Sequence, residues 1–384
     1  MDSSRWTVLA TLLLMVAACS GTEQGWGGSQ LVVDGVTTTV SPPVPLADPS
    51  EVSTTELWSQ SGPADGDVWG LPRSLGVSSR HAFVVDNQAD QIHVVTLDGH
   101  LAGTLGRPGQ GPGEYSRPVA AVPTGEGTFI VDGGNRRIDI IDDDLTLVRS
   151  FGSGTVAFSA LPWGPSSVVV QGMAGDEVGW MAWHASGTPE TVSLAPLTTE
   201  GADQADCYVF GTTRDRLLRL HCARVELSVF SRTGVVRQEI SVDLPPQVAT
   251  DEEIEDRVGR LRETLSQTSL PAAFLEQQVD AIRDGDRVKH MNREVVAASG
   301  TDLIAIWSQN PEDYGSGAAT LHLLSEEGIY LTSLEFERSW YDFTIRDGVL
   351  YSLEREASTG LVTLVARRID VSASLLERAA AVTG

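Results

Sequence analysis

One segment of the chain, residues 106–118, has the density of glycine and proline that is typical of loops able to carry chemistry. Its sequence, GRPGQGPGEYSRP, places glycine at Gly106, Gly109, Gly111 and Gly113. Glycine-rich loops hold phosphate groups on their backbone amides when a helix N-terminus follows them. Here the next residues, RPVAAVP, are typical of a strand, and the glycines lack the G-x-G-x-x-G spacing. The segment is therefore predicted to be a turn between strands, with a ligand-binding loop as the alternative.

Motifs for catalysis or metal binding are absent elsewhere in the sequence. The chain has no G-x-S-x-G elbow, no H-E-x-x-H and no Walker loop. The acidic triplet Asp142–Asp144 lacks the alternating spacing of a calcium-binding EF-hand loop, and a hairpin turn explains it equally well. We therefore predict no cofactor, and keep a divalent metal such as calcium in a central channel as the alternative. The histidines have no metal-ligand spacing and occur at His81, His93, His100, His184, His221, His290 and His322.

A repeated pattern indicates how such residues are positioned. Residues 83–106 align without a gap with residues 129–152, an offset of 46 residues from Phe83 to Phe129. Each unit begins with phenylalanine, an aliphatic pair and an aspartate, which is Asp86 in the first unit and Asp132 in the second. Period-two alternation interrupted by Gly, Asp and Asn then predicts further strands and turns. A repeat of this length with several strands predicts propeller blades, because one blade alone cannot bury both of its faces.

The second unit also resembles a known family. VDGGNRRIDIID, residues 131–142, resembles the NHL-type blade pattern, and GRPGQGPGEYSRP is similar to the inter-blade turn of bacterial six-bladed β-propeller lipoproteins. The resemblance covers two blades and implies a fold rather than an activity. In the resembled blades the aspartate ties its turn to backbone amides or to an arginine such as Arg137. The recurrence of Asp86 and Asp132 therefore favours a structural role over a catalytic one.

The rest of the chain is predicted to supply four more blades and one helical insertion. Between the fourth and fifth blades, about residues 250–290, apolar residues change to helical spacing, and Thr250 and Glu253 form a capping-box pattern. We predict an all-β fold, a six-bladed β-propeller of four-stranded antiparallel blades, as one domain over residues 30–384 with a helical hairpin inserted between blades four and five. Residues 30–40 or residues 53–60 are expected to pair with the last blade and close the ring.

The N-terminus predicts export. Residues 6–18 are apolar apart from Thr7 and Thr11, are too few to span a bilayer, and suit the hydrophobic region of a signal peptide. The VAAC sequence that ends at Cys19 resembles a bacterial lipobox. Residues 1–18 are thus predicted to be a lipoprotein signal peptide, Cys19 the lipidated residue and residues 19–29 a flexible tether, with Ser20 favouring the outer membrane. An ordinary signal peptide or a buried helix is the alternative.

Cysteine usage and charge are consistent with an exported protein. Lipidation of Cys19 leaves Cys207 and Cys222, which flank two predicted strands and are expected to form a disulfide in an oxidising compartment, the alternative being two buried thiols. The net charge of −25 repels phosphate backbones, so nucleic acid is a poor candidate partner.

The sequence is compatible with two functions. The first is a lipid-anchored binding or scaffold module of the cell envelope, attached to the membrane by its lipid, whose partner is an envelope protein or a small ligand. The second, which the resemblance to six-bladed propellers implies, is a metal-dependent hydrolase, lactonase or lyase-like enzyme with its site in the central channel. Fold alone does not choose between them. The distinguishing observation is whether acidic and amide side chains from different blades converge on one axis.

Overall fold

Six β-sheets arranged in chain order make up the fold in the computed structural model. The structure describes residues 26–62, 68–175, 177–190, 208–212, 216–266, 272–284, 287, 289, 291–298, 300–309 and 318–383. Within each blade the strands pair antiparallel and follow one another in chain order, except that an N-terminal strand completes blade six, and the first strand lies innermost. Neighbouring first strands contact one another around the ring. The predicted six-bladed propeller is therefore confirmed.

The first half of the chain contains three N-terminal strands and three blades. The N-terminal strands are β1 (Ser29–Val33), β2 (Val36–Ser41) and β3 (Val52–Gln60). Blade one is β4 (Pro72–Val77), β5 (His81–Asp86), β6 (Gln91–Thr96) and β7 (Leu101–Leu105). Blade two is β8 (Pro118–Thr124), β9 (Gly127–Asp132), β10 (Arg137–Ile141) and β11 (Leu147–Gly152). Blade three is β12 (Val156–Pro162), β13 (Ser167–Ala174), β14 (Glu177–His184) and β15 (Pro189–Glu190).

The second half contains three blades and the helices. Blade four is β16 (Tyr208–Thr212), β17 (Arg216–His221), β18 (Glu226–Ser231) and β19 (Val236–Val242). The helices α1 (Asp251–Ser266) and α2 (Ala272–Asp284) follow it. Blade five is β20 (Asn292–Ala297), β21 (Leu303–Gln309), β22 (Ala319–Ser325) and β23 (Tyr330–Phe336). Blade six has β24 (Ser339–Arg346), β25 (Val349–Arg355) and β26 (Val362–Val371), and α3 (Ala373–Thr383) follows.

The ring closes through an N-terminal strand. Strand β3 pairs antiparallel with β26, from Val52 opposite Val371 to Gln60 opposite Leu364, and is the fourth strand of blade six. Of the two predicted closing segments, residues 53–60 are thus the right one. Residues 30–40 instead form the β1–β2 hairpin, whose second strand pairs parallel with β19 and extends the sheet of blade four to six strands.

Hydrophobic contacts between neighbouring blades form the core. The second strand of a blade is covered on both faces, and β21 is buried along its whole length. Val84 of blade one packs with Leu353 and Leu364 of blade six, and on its other side the same blade packs Phe83 against Ile130 of blade two. The core is therefore a ring of inter-blade clusters, which holds the first strands around a central axis.

The helical hairpin lies where the sequence placed it. The backbone N–H of Thr250 donates to Glu253 Oε2 at 2.8 Å and the backbone N–H of Glu253 donates to Thr250 Oγ1 at 3.2 Å, which is the predicted capping box. Val258 and Val279 are buried. The sequence analysis did not predict α3, whose Arg378 pairs with Glu51 just before β3. Among the described residues, none of the helices has the length and apolar character needed to cross a membrane.

Bulges in the first strands position side chains toward the axis. In five of the six blades the register of the first strand against the second skips one residue near its start. Each bulge leaves one residue unpaired and re-aims its side chain. The five bulge residues all line one cavity and are Arg73, Val119, Phe158, Arg293 and Tyr341.

Candidate functional site at the channel mouth

The first strands surround a channel that widens into a cavity at each end. The cavity at the starts of these strands, which we call the entry mouth, has a volume of about 800 Å³. The cavity at their far ends has a volume of about 1440 Å³. Ser74, Glu294 and Asp342 line both cavities, so they form a waist between them.

Aromatic side chains occupy one side of the entry mouth. Phe158 of blade three is a bulge residue and is 50% exposed. Trp180, Tyr208 and Phe210 line the same side, and the rings of Trp180 and Phe210 contact edge to face with centroids 5.7 Å apart. These four residues form what we call the aromatic arc. A large apolar ring left half exposed beside other aromatic rings is typical of a surface that binds something.

Arginines occupy the other side. Arg73 of blade one and Arg117 at the entry to blade two are exposed, and Arg293 of blade five is half-buried. In the part of the chain that the structure describes, no carboxylate lies within ion-pair distance of the Arg73 or Arg117 guanidinium. These three residues form what we call the cationic arc, a local concentration of positive charge in a protein of net charge −25.

A pair of carboxyl groups forms the waist. Glu294 of β20 and Asp342 of β24 each follow a bulge residue directly, and their side chains hydrogen-bond to each other. The backbone N–H groups of Leu75 and Phe343 both donate to Asp342, each at 2.7 Å. Burial, reinforced by the neighbouring carboxylate, raises the pKa of Glu294 well above its ordinary value, and burial raises the pKa of Asp342 to about 6. The pair therefore shares a proton at neutral pH.

The predicted residue Asp86 binds backbone amides in blade one. Its carboxylate accepts hydrogen bonds from the N–H groups of Gly70 at 2.5 Å, Leu71 at 2.8 Å and Ala89 at 3.0 Å, and His93 Nε2 lies 3.6 Å away. Burial opposes ionisation of this group, but the His93 hydrogen bond and the backbone amides outweigh burial and lower the pKa of Asp86 below its usual range. These contacts hold the turn after β5.

Asp132 and Arg137 form part of a buried network in blade two. The Arg137 guanidinium lies between two carboxylates, with Nη2 at 3.4 Å from Asp132 and Nε at 3.1 Å from Asp139. Asp132 also accepts from the backbone N–H of Ser116 and from the amide of Asn135. Burial raises the pKa of both aspartates. The Arg137 guanidinium, which the two carboxylates share, lowers these pKa values but offsets the effect of burial only in part.

The glycine-rich segment is the connection from β7 to β8, as predicted. The N–H groups of Gln110 and Gly111 both donate to the Glu114 carboxylate, so the amides suited to an anion already hold one. Arg137 donates to the carbonyls of Gln110, Gly111 and Glu114. Gly106 has a φ of +81°, and a Cβ there would lie 2.1 Å from the Tyr115 ring. Hydrogen bonding within the segment thus supports the turn interpretation over a phosphate site.

The other predicted glycines serve the same turn. Gly109 accepts a hydrogen bond from the side-chain amide of Asn135 at 2.9 Å, and Gly113 has a φ of +72°. The acidic triplet is also a turn, because Asp142 Oδ1 accepts from the backbone N–H groups of Asp144 and Thr146. Across the residues that the structure describes, no group of three or more His, Cys, Asp or Glu side chains is arranged to hold a metal ion.

Of the three cysteines, the structure describes Cys222. Cys222 is buried and disulfide-bonded. Cys19 and Cys207 lie outside the described residues. The β16–β17 register ends with Tyr208 opposite His221, the residues just inside the predicted pair. The pairing of Cys207 with Cys222 and the lipidation of Cys19 therefore stay predictions.

Two solved structures are similar to this chain in fold. A member of the DUF4221 family from Bacteroides vulgatus ATCC 8482 is 9% identical and has a TM-score of 0.52, with 84% of this chain and 99% of that chain covered. A candidate exported protein from Bacteroides fragilis NCTC 9343 is 9% identical with a TM-score of 0.51, covering 86% of this chain and 99% of that chain. The chain is a six-bladed β-propeller.

Other comparisons with known proteins add no function. A virginiamycin B lyase from Staphylococcus aureus is 10% identical, with 83% of this chain and 99% of that chain covered, but its TM-score of 0.45 is too low to carry an argument. No protein-family model matches the propeller, and no curated protein matches it. The likeness to solved structures shows the fold alone.

The residues that line the mouth of this propeller were not predicted from the sequence. Arg293 and Glu294 lie in NREVVA, and Tyr341 and Asp342 lie in SWYDFTIR, and both segments have the pattern of ordinary strands. The available signal was the presence of charged residues within these two first strands. That signal gains meaning only when the bulges are known, because a bulge decides which residues face the axis.

Proposed function

We propose that the protein is an exported, lipid-anchored β-propeller that binds a small ligand at the entry mouth. The observation that carries this proposal is the lining of the mouth, where the aromatic arc faces the cationic arc across a cavity of about 800 Å³. Ligand pockets are typically concave, of this size, apolar in part and supplied with a few polar groups that fix orientation.

The cellular location in this proposal rests on the sequence. The apolar segment of residues 6–18, followed by the lipobox-like residues up to Cys19, supports export and acylation. A diacylated N-terminus gives stable anchoring to a membrane. Ser20 favours the outer membrane, so the ligand is expected to be a molecule of the bacterial cell envelope. The similar Bacteroides fragilis protein is itself a candidate exported protein, which is compatible with this location.

The waist pair is relevant to the alternative of a metal-dependent enzyme. Two acidic side chains from different blades do converge on the axis, Glu294 from blade five and Asp342 from blade six. They bind each other through a shared proton, whereas calcium requires six to eight oxygen ligands. The described residues at the waist therefore do not fit a calcium site, and we assign the pair to the floor of a binding cavity.

A comparison of two phenylalanines tests ligand binding at the mouth. Soluble protein, residues 20–384, is screened for small molecules that raise its melting temperature, and the hits are repeated with Phe158→Ala. Phe274→Ala is the matched control, since Phe274 is 41% exposed but lies on α2 away from the mouth. We expect Phe158→Ala to abolish the ligand-dependent rise and Phe274→Ala to retain it. Hits that keep their full effect in Phe158→Ala would place binding elsewhere.

Metal content and anchoring are tested separately. Elemental analysis of the same soluble protein, with melting curves in calcium and in EDTA, distinguishes the binding module from the enzyme alternative. A stoichiometric metal whose removal lowers stability would favour the enzyme. For the anchor, Cys19→Ala is expected to release the protein from the membrane fraction. Full membrane retention of that variant with normal signal cleavage would contradict lipidation.

A further inference from the structure

The two sides of the entry mouth differ in chemistry in a way that specifies a ligand class. Blades three and four, which are neighbours in the ring, supply the aromatic arc, Phe158, Trp180, Tyr208 and Phe210. The remaining arc runs through blades five, six, one and two and supplies Arg293, Tyr341, Arg73 and Arg117 in that order. The three arginines that line the mouth therefore lie on one side of it, and the four residues of the aromatic arc lie on the other.

The cationic arc favours an anionic group. Among the side chains that line the entry mouth, three guanidinium groups stand against the two carboxyl groups of the waist pair, so basic groups outnumber acidic groups in this lining although the protein as a whole is strongly acidic. A concave site of one sign concentrates small ions of the opposite sign. Guanidinium groups present paired donors that match the oxygens of carboxylate, phosphate or sulfonate.

The aromatic arc favours a flat apolar group. Phe158 presents half of its surface to the cavity, and the edge-to-face pair of Trp180 and Phe210 adds a second ring surface beside it. Aromatic rings bury large areas and prefer offset or edge-to-face contacts with other rings. A ligand that covered Phe158 would remove its exposed apolar surface from water, which favours binding.

We propose that the entry mouth binds an aromatic anion, a molecule with one flat ring system and one carboxylate, sulfonate or phosphate group. The ring lies on the aromatic arc and the anionic group lies on the cationic arc above Glu294 and Asp342. This inference rests on the proposed function, because it names the ligand class of the same cavity.

The experiment uses two fluorescent probes that differ in charge. Anilinonaphthalene sulfonate is an aromatic anion, and phenylnaphthylamine is an uncharged molecule of similar shape. Both are titrated into wild-type protein, into the double variant Arg73→Gln/Arg117→Gln and into Phe158→Ala. The controls are Arg368→Gln, an exposed arginine on the outer part of blade six, and Phe274→Ala. Melting curves confirm that each variant is folded.

The expected result separates charge from apolar contact. The double arginine variant should weaken the anionic probe about tenfold, which corresponds to the loss of one charge-assisted hydrogen bond. It should change the affinity of the uncharged probe by less than about twofold, because that probe has no charge to recognise. Phe158→Ala should weaken both probes, and neither control should weaken either.

Each contrary result identifies which claim has failed. If both probes bind equally and the arginine variant changes neither, while Phe158→Ala weakens both, the ligand class is wrong and the mouth remains the binding site. If Phe158→Ala also leaves both affinities unchanged, the proposed function fails with it. If neither probe binds, the aromatic-anion class is overturned, and the small-molecule screen above decides the proposed function.

Discussion

Blade two and the channel waist both bury carboxyl groups, but they neutralise the charge in different ways. In blade two the Arg137 guanidinium lies between Asp132 and Asp139, which are both fully buried. At the waist, Glu294 and Asp342 are half-buried, line two cavities and hydrogen-bond to each other through one proton. One region thus relies on a covalently fixed cation and the other on a proton that exchanges with solvent.

Because of this difference, the charge of the blade-two network is fixed, whereas the charge of the waist pair changes with pH. A guanidinium keeps its charge at any ordinary pH, so the blade-two network has one state. A shared proton leaves when the pH rises or when a ligand changes the local field, so the waist has two states. Repetition of Asp86 and Asp132 therefore marks the frame of the propeller, whereas the unrepeated pair Glu294 and Asp342 lies at the floor of the cavity that we propose as the ligand site.

Removal of the fixed cation is expected to have the largest effect. Arg137→Ala leaves Asp132 and Asp139 without their cation and the carbonyls of residues 110, 111 and 114 without a donor. Breaking a buried ion pair from one side costs about 3–5 kcal/mol of unfolding free energy. Urea unfolding of residues 20–384 measures this loss of unfolding free energy. For the control Arg368→Ala, at an exposed arginine, we expect a change in unfolding free energy within about 0.5 kcal/mol. A loss below about 1 kcal/mol for Arg137→Ala would mean that the network is not structural.

Two glycine substitutions test how tightly the turn held by Arg137 is packed. Gly106→Ala introduces a Cβ at a φ of +81° and 2.1 Å from the Tyr115 ring, whereas Gly103→Ala on β7 meets no atom within 4 Å. We expect the first change to lower the unfolding free energy by about 2 kcal/mol, since it combines left-handed backbone strain with overpacking. The second should be neutral or stabilising by up to about 1 kcal/mol. Equal effects of the two changes would contradict a tightly packed turn.

The exchangeable proton predicts a pH dependence of stability with a definite sign. The folded-state pKa values of Glu294 and Asp342 are raised, by burial first, so the folded protein binds protons more tightly than the unfolded chain. Their contribution is complete below the ordinary carboxyl pKa and is lost as the pH rises through the folded values, about 6 for Asp342. Melting temperatures between pH 4 and 8 should therefore fall less in Glu294→Gln than in wild type.

The control for this pH series is Glu335→Gln, an exposed glutamate on β23. It should follow the wild-type curve, because it removes a carboxyl group that lies outside the waist. If Glu294→Gln keeps the full wild-type slope, the two carboxyl groups do not share a proton and the contrast with blade two disappears.

The smallest expected effect is on the pH dependence of probe binding. Loss of the shared proton adds a second negative charge to the cavity that Arg73, Arg293 and Tyr341 also line. Affinity for anilinonaphthalene sulfonate should then fall about threefold as the pH rises through the upper titration of the pair, a change typical of charges separated by solvent. The uncharged probe should show no such fall. Glu294→Gln should remove the pH dependence, and a fall of the same size in that variant would assign the dependence to another group.

The frame of the propeller was predictable because its signals are local. The repeat from Phe83 and Phe129, the acidic turn residues Asp86 and Asp132 and the capping box at Thr250 each lie within a short stretch of sequence, and the structure contains all of these elements. Period-two alternation is sufficient to place strands of this kind.

The waist was not predictable because its geometry depends on distant parts of the chain. Glu294 meets Asp342 only because blades five and six are adjacent in a closed ring, and Asp342 meets the Leu75 amide across the closure of that ring. Each also faces the axis because a bulge shifts its strand by one residue, and a one-residue shift moves a side chain to the opposite face. Alternation counted along the sequence alone assigns the wrong face after such a shift.

The closing strand determines the order in which the propeller is finished. Strand β3 leaves the ribosome, and any export channel, before the first blade, whereas its partner β26 comes last. A chain emerging from its N-terminus therefore holds β3 unpaired while five blades assemble, and unpaired strand edges are sites of misassociation. Helix α3 follows β26 and is also synthesised late. Its Arg378 pairs with Glu51, so the segment before β3 is held in place only after α3 has formed. The two strands that close the ring are therefore synthesised first and last. A chain that ended before β26 would leave β3 without its partner and the ring open.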